Sequence, residues 1–272
     1  MQTLVMKFGG AAVATPRHFA KIAEIIEKRS HHFQRIVVVV SAMANKTDEL
    51  IALAREVHPA PPRRELDMLV SVGERISISL LAMALKAAGK EAISYTGSQS
   101  GIITTNEHTD ARIVEVRPWR LLPALEEGKI VIVAGFQGVS RKGEITTLGR
   151  GGSDTTAVAL GVALRAEKIE FYKDVEGIYS EDPKGNVSAE LFSKLSYEEA
   201  ISLLLRGDKV LHTRCVLLAK KNNIPLHILS FLRANENNEC GGTWIGNTEM
   251  VSEERELLYE EEPVIEAGLA HV

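Results

Sequence analysis

Three short runs of this 272-residue chain carry hardly a polar side chain: TLVMKF (3–8), RIVVVVSA (35–42) and KIVIVAGF (129–136). A strand with one face in water alternates apolar and polar residues. These are apolar at consecutive positions, so both faces must be covered. Helical patterns separate them. TPRHFAKIAEIIEKR (15–29) opens with Thr15 at the N-cap and Pro16 at the first helical position. Further helices are predicted over about 46–57, 119–127, 153–165 and 213–222, and one over 197–206 behind a Ser196/Glu199 capping box. Residues 64–89 give one long helical pattern, broken or kinked near Gly73, while EAISYT (91–96), EKIEFYKD (167–174) and PLHILS (225–230) add strands. Such alternation predicts an α/β protein, a three-layer αβα sandwich on a mostly parallel central sheet. Ligands of such sheets collect at the carboxyl ends of the strands.

Composition narrows the class. With 45% hydrophobic and 25% charged residues the chain reads as an ordinary globular protein, and its net charge of −4 argues against a nucleic-acid partner. No apolar run is expected to reach the ~20 residues of a membrane span. Cys215 and Cys240 form no C-x-x-C pair, and the opening MQTLVMKFGG lacks the layout of a signal peptide, so the expected setting is the cytoplasm.

The loops at strand ends hold the chemistry. In KFGG (7–10), Gly9 and Gly10 allow close backbone approach to an anion and Lys7 adds a charge. Ser41 and Thr47, in SAMANKT, could face a ligand, or Thr47 could cap the following helix. Glu74 is either a surface charge beside Arg75 or a carboxylate aimed into a cleft. TLGRGGSD (147–154) places Gly149, Gly151 and Gly152 around Arg150, which can hold a carboxylate or phosphate through its planar fork. Asp154, on the first turn of a helix, could receive a cationic amine or cap that turn with Ser153. In YKDVEGIYSEDPKG (172–185), Asp174 could accept ribose hydroxyls and Tyr179 offers an aromatic face. Lys209, in RGDKVLH (206–212), reads either as a ligand group or as a solvated helix end.

In sequence order, KFGG, VVSAMANKTD, GER, GFQG, TLGRGGSD, KDVEGIYSEDPK and GDKVLH resemble the motifs of aspartokinases, members of the amino-acid kinase fold, over roughly residues 3–245. The resemblance implies that ATP donates its γ-phosphoryl group to the β-carboxylate of L-aspartate, the first step toward lysine, threonine and methionine. Mg²⁺ would ride on the phosphates and water, without a protein metal cage. Carried over position by position, Ser41, Thr47, Glu74, Phe136, Arg150, Gly151, Gly152 and Ser153 would bind aspartate. Lys7, Gly9, Gly10, Tyr172, Lys173, Asp174, Tyr179, Lys184 and Lys209 would sit at the nucleotide, with Lys7, Asp154 and Lys209 catalytic. Glu74 and Asp154 would receive the α-ammonium, or Asp154 would instead orient Lys7. A homodimer is usual for this fold.

Departures from the family pattern leave two alternatives. The first motif usually continues Gly-Gly-Thr-Ser-Val, but here Ala11 and Ala12 follow Gly10, so two hydroxyls are missing. Lys173 stands where a Thr is common, Thr213 replaces a usual Pro, and Lys184 replaces a common Arg. Phosphorylation of a related amino acid, or a non-catalytic ligand-binding role, therefore stays open. Residues 1–248 read as the kinase domain, with an aspartate-binding first part and a nucleotide-binding second part, and 249–272 as an acidic linker. EEPVIEAGLAHV (261–272) resembles the first strand of an ACT domain, and feedback inhibition by lysine or threonine is not expected of this chain alone.

Overall fold

Each apolar run becomes a strand of one sheet in the computed structural model, which describes residues 2–181, 183, 185–186, 188–234, 241–247 and 257–260. The chain begins with β1 (Thr3–Phe8), α1 (Pro16–Ser30), β2 (Arg35–Val40), α2 (Lys46–Val57), α3 (Arg63–Val70) and α4 (Val72–Ala87). It continues with β3 (Ala92–Tyr95), β4 (Ile102–Thr104), β5 (Ile113–Val116), α5 (Leu121–Glu126), β6 (Ile130–Ala134), β7 (Gln137–Ser140) and β8 (Ile145–Thr147). The last described elements are α6 (Gly152–Ala163), β9 (Lys168–Lys173), β10 (Lys194–Leu195), α7 (Tyr197–Leu205), α8 (Thr213–Asn222), β11 (Leu226–Ser230) and β12 (Thr243–Ile245). The main sheet runs β10-β12-β11-β9-β1-β2-β6-β3, parallel from β11 across to β3, with β12 antiparallel to β11.

The two-residue period of the strands divides their side chains between the covering layers. Leu4, Met6 and Phe8 join Ile22, Ile26, Leu81 and Leu85 in the core under α1 and α4. Val5, with Ile169 and Phe171 of β9, packs instead against the α6 and α8 residues Val158, Leu160 and Cys215. Lys7 and Lys173 share the parity of Val5 and Phe171, so both belong to the α6 side at the carboxyl edge of the sheet.

One expectation needs correction, and one part of the fold was not foreseen. The 63–87 stretch is long and apolar enough, by length and composition, to cross a membrane. It is broken at Ser71, and Gly73, Ser77, Ile78, Leu81 and Leu85 are buried against the protein, as in a core helix. Residues 102–147 also hold a second sheet, β5-β4-β7-β8, which no pattern in the sequence announced. Its strands of three or four residues are too short for period 2 to stand out. Thr15 occupies the N-cap of α1 in extended conformation but makes no side-chain cap bond, whereas the Ser196/Glu199 capping box forms in full.

Of the tail, 257–260 lie along β5. The Glu260 N–H donates to the Ile113 carbonyl at 3.0 Å, and the Glu260 carboxylate accepts from the Ile113 N–H at 2.8 Å. The rest of the 249–272 linker, the ACT-like run 261–272, Lys184 and Cys240 fall outside the described residues.

Candidate active site

Asp154 sits on the first turn of α6, and both cations of matching parity converge on it. Lys7 Nζ lies 2.5 Å from Oδ1 and Lys173 Nζ 2.9 Å from Oδ2. Burial works to raise the Asp154 pKa, but the charges and hydrogen bonds of Lys173 and Lys7 outweigh it and hold the carboxyl at about 2. Lys7 moves the other way. Burial lowers its pKa, the attraction of Asp154 does not restore it, and the nearby Lys173 lowers it further. The two shifts agree once the charges are counted: two ammoniums share one carboxylate, so the cluster carries a net positive charge out of water. An anion arriving beside it would relieve that charge. Asp154 thus pairs with Lys7, the contact that the second of its two expected roles requires, and with Lys173 as well.

A cleft of about 900 Å³ opens onto this cluster, lined by Lys7, Gly9, Gly10, Lys173, Asp174 and Lys209, with Ala11, Ala12 and Tyr179 also on its wall. A Cβ on Gly9 would come 3.6 Å from Lys7 Nζ, and one on Gly10 would come 3.3 Å from the Ala42 carbonyl, so the KFGG backbone runs between the ammonium and the 41–47 loop. Asp174 and Lys209 are exposed at the cleft. Tyr172 borders it, yet its side chain serves another purpose. Its ring stacks on Phe8 with centroids 4.6 Å apart, on the α1 face, and its hydroxyl donates to Glu170 at 2.8 Å. Strand parity, already legible in the sequence, sends Tyr172 away from the side that holds Lys173.

The remaining candidates gather around α4, the 41–47 loop and the start of α6, outside that cleft's lining. Glu74 is only 2% exposed, which removes the surface-charge reading. Its Oε1 accepts the Ala42 N–H at 3.1 Å, while Oε2 has no hydrogen-bond partner among the described residues. Burial pushes its pKa up to about 8, against the opposing pull of those hydrogen bonds and of Lys7. Gly73 permits the approach, since a Cβ there would lie 2.8 Å from the Ala42 Cβ. Ser41 and Thr47 are half-buried, and Asn45, not Thr47, takes the N-cap position of α2. Phe136 has φ +69° and donates its N–H to the Thr156 hydroxyl at 3.2 Å. Ser153 packs on Gly135, where a Cβ would approach within 2.8 Å. Arg150 is exposed, with no ion-pair partner among the described residues.

Two glycines of the 147–154 loop have specific duties. Gly151, at φ +73°, is the N-cap of α6, and a Cβ there would lie 2.2 Å from the His212 Cβ. This contact joins the TLGRGGSD loop to the end of RGDKVLH. Gly152 lies against Leu148 and Phe136, with a Cβ clearance of 2.8 and 3.0 Å. Gly151→Ala is expected to cost about 1–3 kcal/mol through left-handed strain and overpacking, measured by urea denaturation; an unchanged midpoint would show that the His212 contact yields freely. Sequence reasoning missed Arg214, whose guanidinium donates to the carbonyls of Leu148 (2.6 Å) and Ala111 (2.9 Å) and to Glu260 (2.8 Å). It ties the residue before Gly149 to the described tail, and nothing in the sequence distinguishes it from a surface arginine.

A parallel sheet with a glycine-bordered, lysine-rich cleft at its carboxyl ends is the layout of an anion-binding α/β domain. The chain belongs to the amino acid kinase family, which it matches over residues 2–230. It is 47% identical over 272 residues to an aspartokinase of Mycobacterium tuberculosis, covering all of this chain and 62% of that protein. To an aspartokinase of Corynebacterium glutamicum it is 46% identical over 259 residues, 95% of this chain and 61% of that one. The chain thus spans about six-tenths of the length of these curated relatives. Among solved structures, an aspartate kinase from Synechocystis superposes with a TM-score of 0.82 at 42% identity, covering 95% of this chain and 42% of that one. Aspartokinase III of E. coli, in complex with aspartate and ADP, gives 0.81 at 28% identity, covering 92% and 65%.

Proposed function

We propose that this chain is an aspartate kinase domain, transferring the γ-phosphoryl of ATP to the β-carboxylate of L-aspartate to give 4-phospho-L-aspartate and ADP. The observation that carries the reading is the net positive Lys7–Asp154–Lys173 cluster beneath the Gly9–Gly10 backbone, an arrangement that favours a phosphoryl group. The acceptor carboxylate is ionised at neutral pH, so the site needs no general base, only positioning and positive charge. Lys7 and the N–H groups of Gly9 and Gly10 would face the transferring group, with Asp174, Tyr179 and Lys209 along the rest of the nucleotide. Arg150 would clamp one aspartate carboxylate, and the unpartnered Oε2 of Glu74 would take the α-ammonium, with Ser41, Thr47, Phe136 and Ser153 around it. Mg²⁺ would enter with the nucleotide as Mg-ATP, carried on its phosphates and water. The likeness to an aspartokinase solved with aspartate and ADP supports both substrates. Exposed Met68, Val72, Ile76 and Met83 along α3 and α4 support the homodimer that belongs to the same reading, in a cytoplasmic enzyme.

Hydroxylamine trapping under saturating Mg-ATP tests the assignment: aspartate should yield a hydroxamate, and glutamate, N-acetylglutamate and β-substituted analogues far less. No hydroxamate, or a better yield with another acceptor, would reject it. Within this reading Arg150→Ala is expected to raise the aspartate KM at least about tenfold while leaving that for ATP nearly unchanged, from losing a charge-assisted contact worth ~1.5–3 kcal/mol. Equal damage to both constants would place the 147–154 loop at the nucleotide.

A further inference from the structure

We propose that Lys173 is a further catalytic residue of this site, its ammonium held on the Asp154 carboxylate so as to contact the phosphoryl group during transfer. The inference rests on the kinase reading above. Three features of the structure place Lys173 there and not among structural ion pairs. It is the last residue of β9, one step beyond the Phe8–Tyr172 pair in the parallel register, and therefore level with Gly9 at the glycine loop. Its parity turns it toward α6, where its Nζ reaches Asp154 Oδ2 at 2.9 Å with the side chain only 15% exposed, and it lines the same cleft as Lys7, Gly9 and Gly10. Lys7 already neutralises Asp154 through Oδ1, so a second buried ammonium on Oδ2 adds charge that no other described carboxylate within ion-pair distance balances.

A charge left unbalanced in a largely desolvated place is costly unless a ligand completes it. The cleft wall opposite offers little else. Ala11 and Ala12 bring no hydroxyl, so beside the glycine loop an anion meets the backbone N–H donors and the two ammoniums, while Lys209 and Arg206 line the same cleft. In the transfer, the bond from the γ-phosphorus to the ADP oxygen breaks and a bond to an acceptor carboxylate oxygen forms. Negative charge moves onto the ADP oxygen, and no proton changes place. Two ammoniums fixed on one carboxylate can follow that charge without reorganising, which is where pre-set positive groups accelerate a reaction.

Lys173→Met and Lys173→Arg separate this role from a structural one. The Met variant is expected to lower kcat at least about thirtyfold with the aspartate KM within about threefold, and the Arg variant, which keeps the charge, to recover most of the loss. Calorimetric titration with Mg-ATP and Mg-ADP, without aspartate, gives a second readout that needs no acceptor. Lys173→Met should lose about tenfold in affinity for ATP and less than about threefold for ADP, because only ATP carries the γ-phosphate. Equal losses for both nucleotides, a kcat within threefold of the parent, or failure of Arg to restore activity would overturn the proposal. If the parent forms no aspartyl hydroxamate yet the ATP-over-ADP preference depends on Lys173, the aspartate reading falls and the role of Lys173 at the γ-phosphate stands. If the parent binds neither nucleotide, both fall.

Discussion

Asp154→Asn is expected to cost about 3–5 kcal/mol of stability near pH 7 and to lower kcat by about two to three orders of magnitude. The amide keeps the shape of the side chain but leaves Lys7 and Lys173 facing each other with no anion between them. The pH dependence follows from the direction of the Asp154 shift. Its folded pKa of about 2 lies below the ordinary 3.8, so its stabilisation is complete above about pH 4 and is lost as pH falls toward 2. Urea denaturation from pH 7 downward should therefore show the gap between parent and variant narrowing in that window. A Lys7→Met change in the Asp154→Asn background should recover part of the lost stability, since it removes one of the two unpaired charges. A gap that is small at neutral pH, or constant through the acid range, would mean the cluster contributes far less than its burial implies.

Glu74→Gln is expected to act in the opposite direction on stability, and strongly. Burial holds Glu74 at about 8, above its ordinary 4.5, so between these values the folded chain carries a proton that the unfolded chain does not. Stability must then fall as pH rises through that interval, by about 1.4 kcal/mol for each unit of separation. The variant does not titrate. It should match the parent near pH 5 and exceed it by about 2–4 kcal/mol near pH 9, read from denaturation midpoints. The same substitution should weaken aspartate, because a neutral amide replaces the group proposed for its ammonium. Binding of aspartate to the parent at pH 7 should release a proton as Glu74 ionises against the ammonium, which titration in buffers of different ionisation enthalpy measures. Gln matching the parent at pH 9 would show that Glu74 is solvated, and its role at the substrate would lose its basis.

Both predictions rest on groups whose candidacy was legible in the sequence but whose state was not. The parallel sheet could be read from RIVVVV and KIVIVA because full burial of a strand leaves a mark at consecutive positions. KFGG and TLGRGGSD could be read because glycine density signals close backbone approach. Parity in β1 and β9 was also present in the sequence, and it separates Lys7 and Lys173 from Phe8 and Tyr172. It becomes informative only once β9 is known to lie beside β1, each residue paired with one 164 positions away in the chain. The second sheet left no trace, because strands of three or four residues are held by what they pack against and not by their own periodicity.

What the sequence by itself determined is therefore the main sheet and the inventory: which of its strands are buried, which loops end them, and which residue types those loops carry. Periodicity and glycine placement are local properties, and local properties survive in one dimension. Only the tertiary structure decided which charges meet: that Asp154 takes Lys7 and Lys173 together, that Glu74 is buried at the Ala42 N–H, and that Arg214 braces Leu148. The physical reason is that ionisation depends on distance and on water. Both are set by packing between segments far apart in the chain, so a carboxylate's neighbours and its pKa exist only after the fold has closed around it.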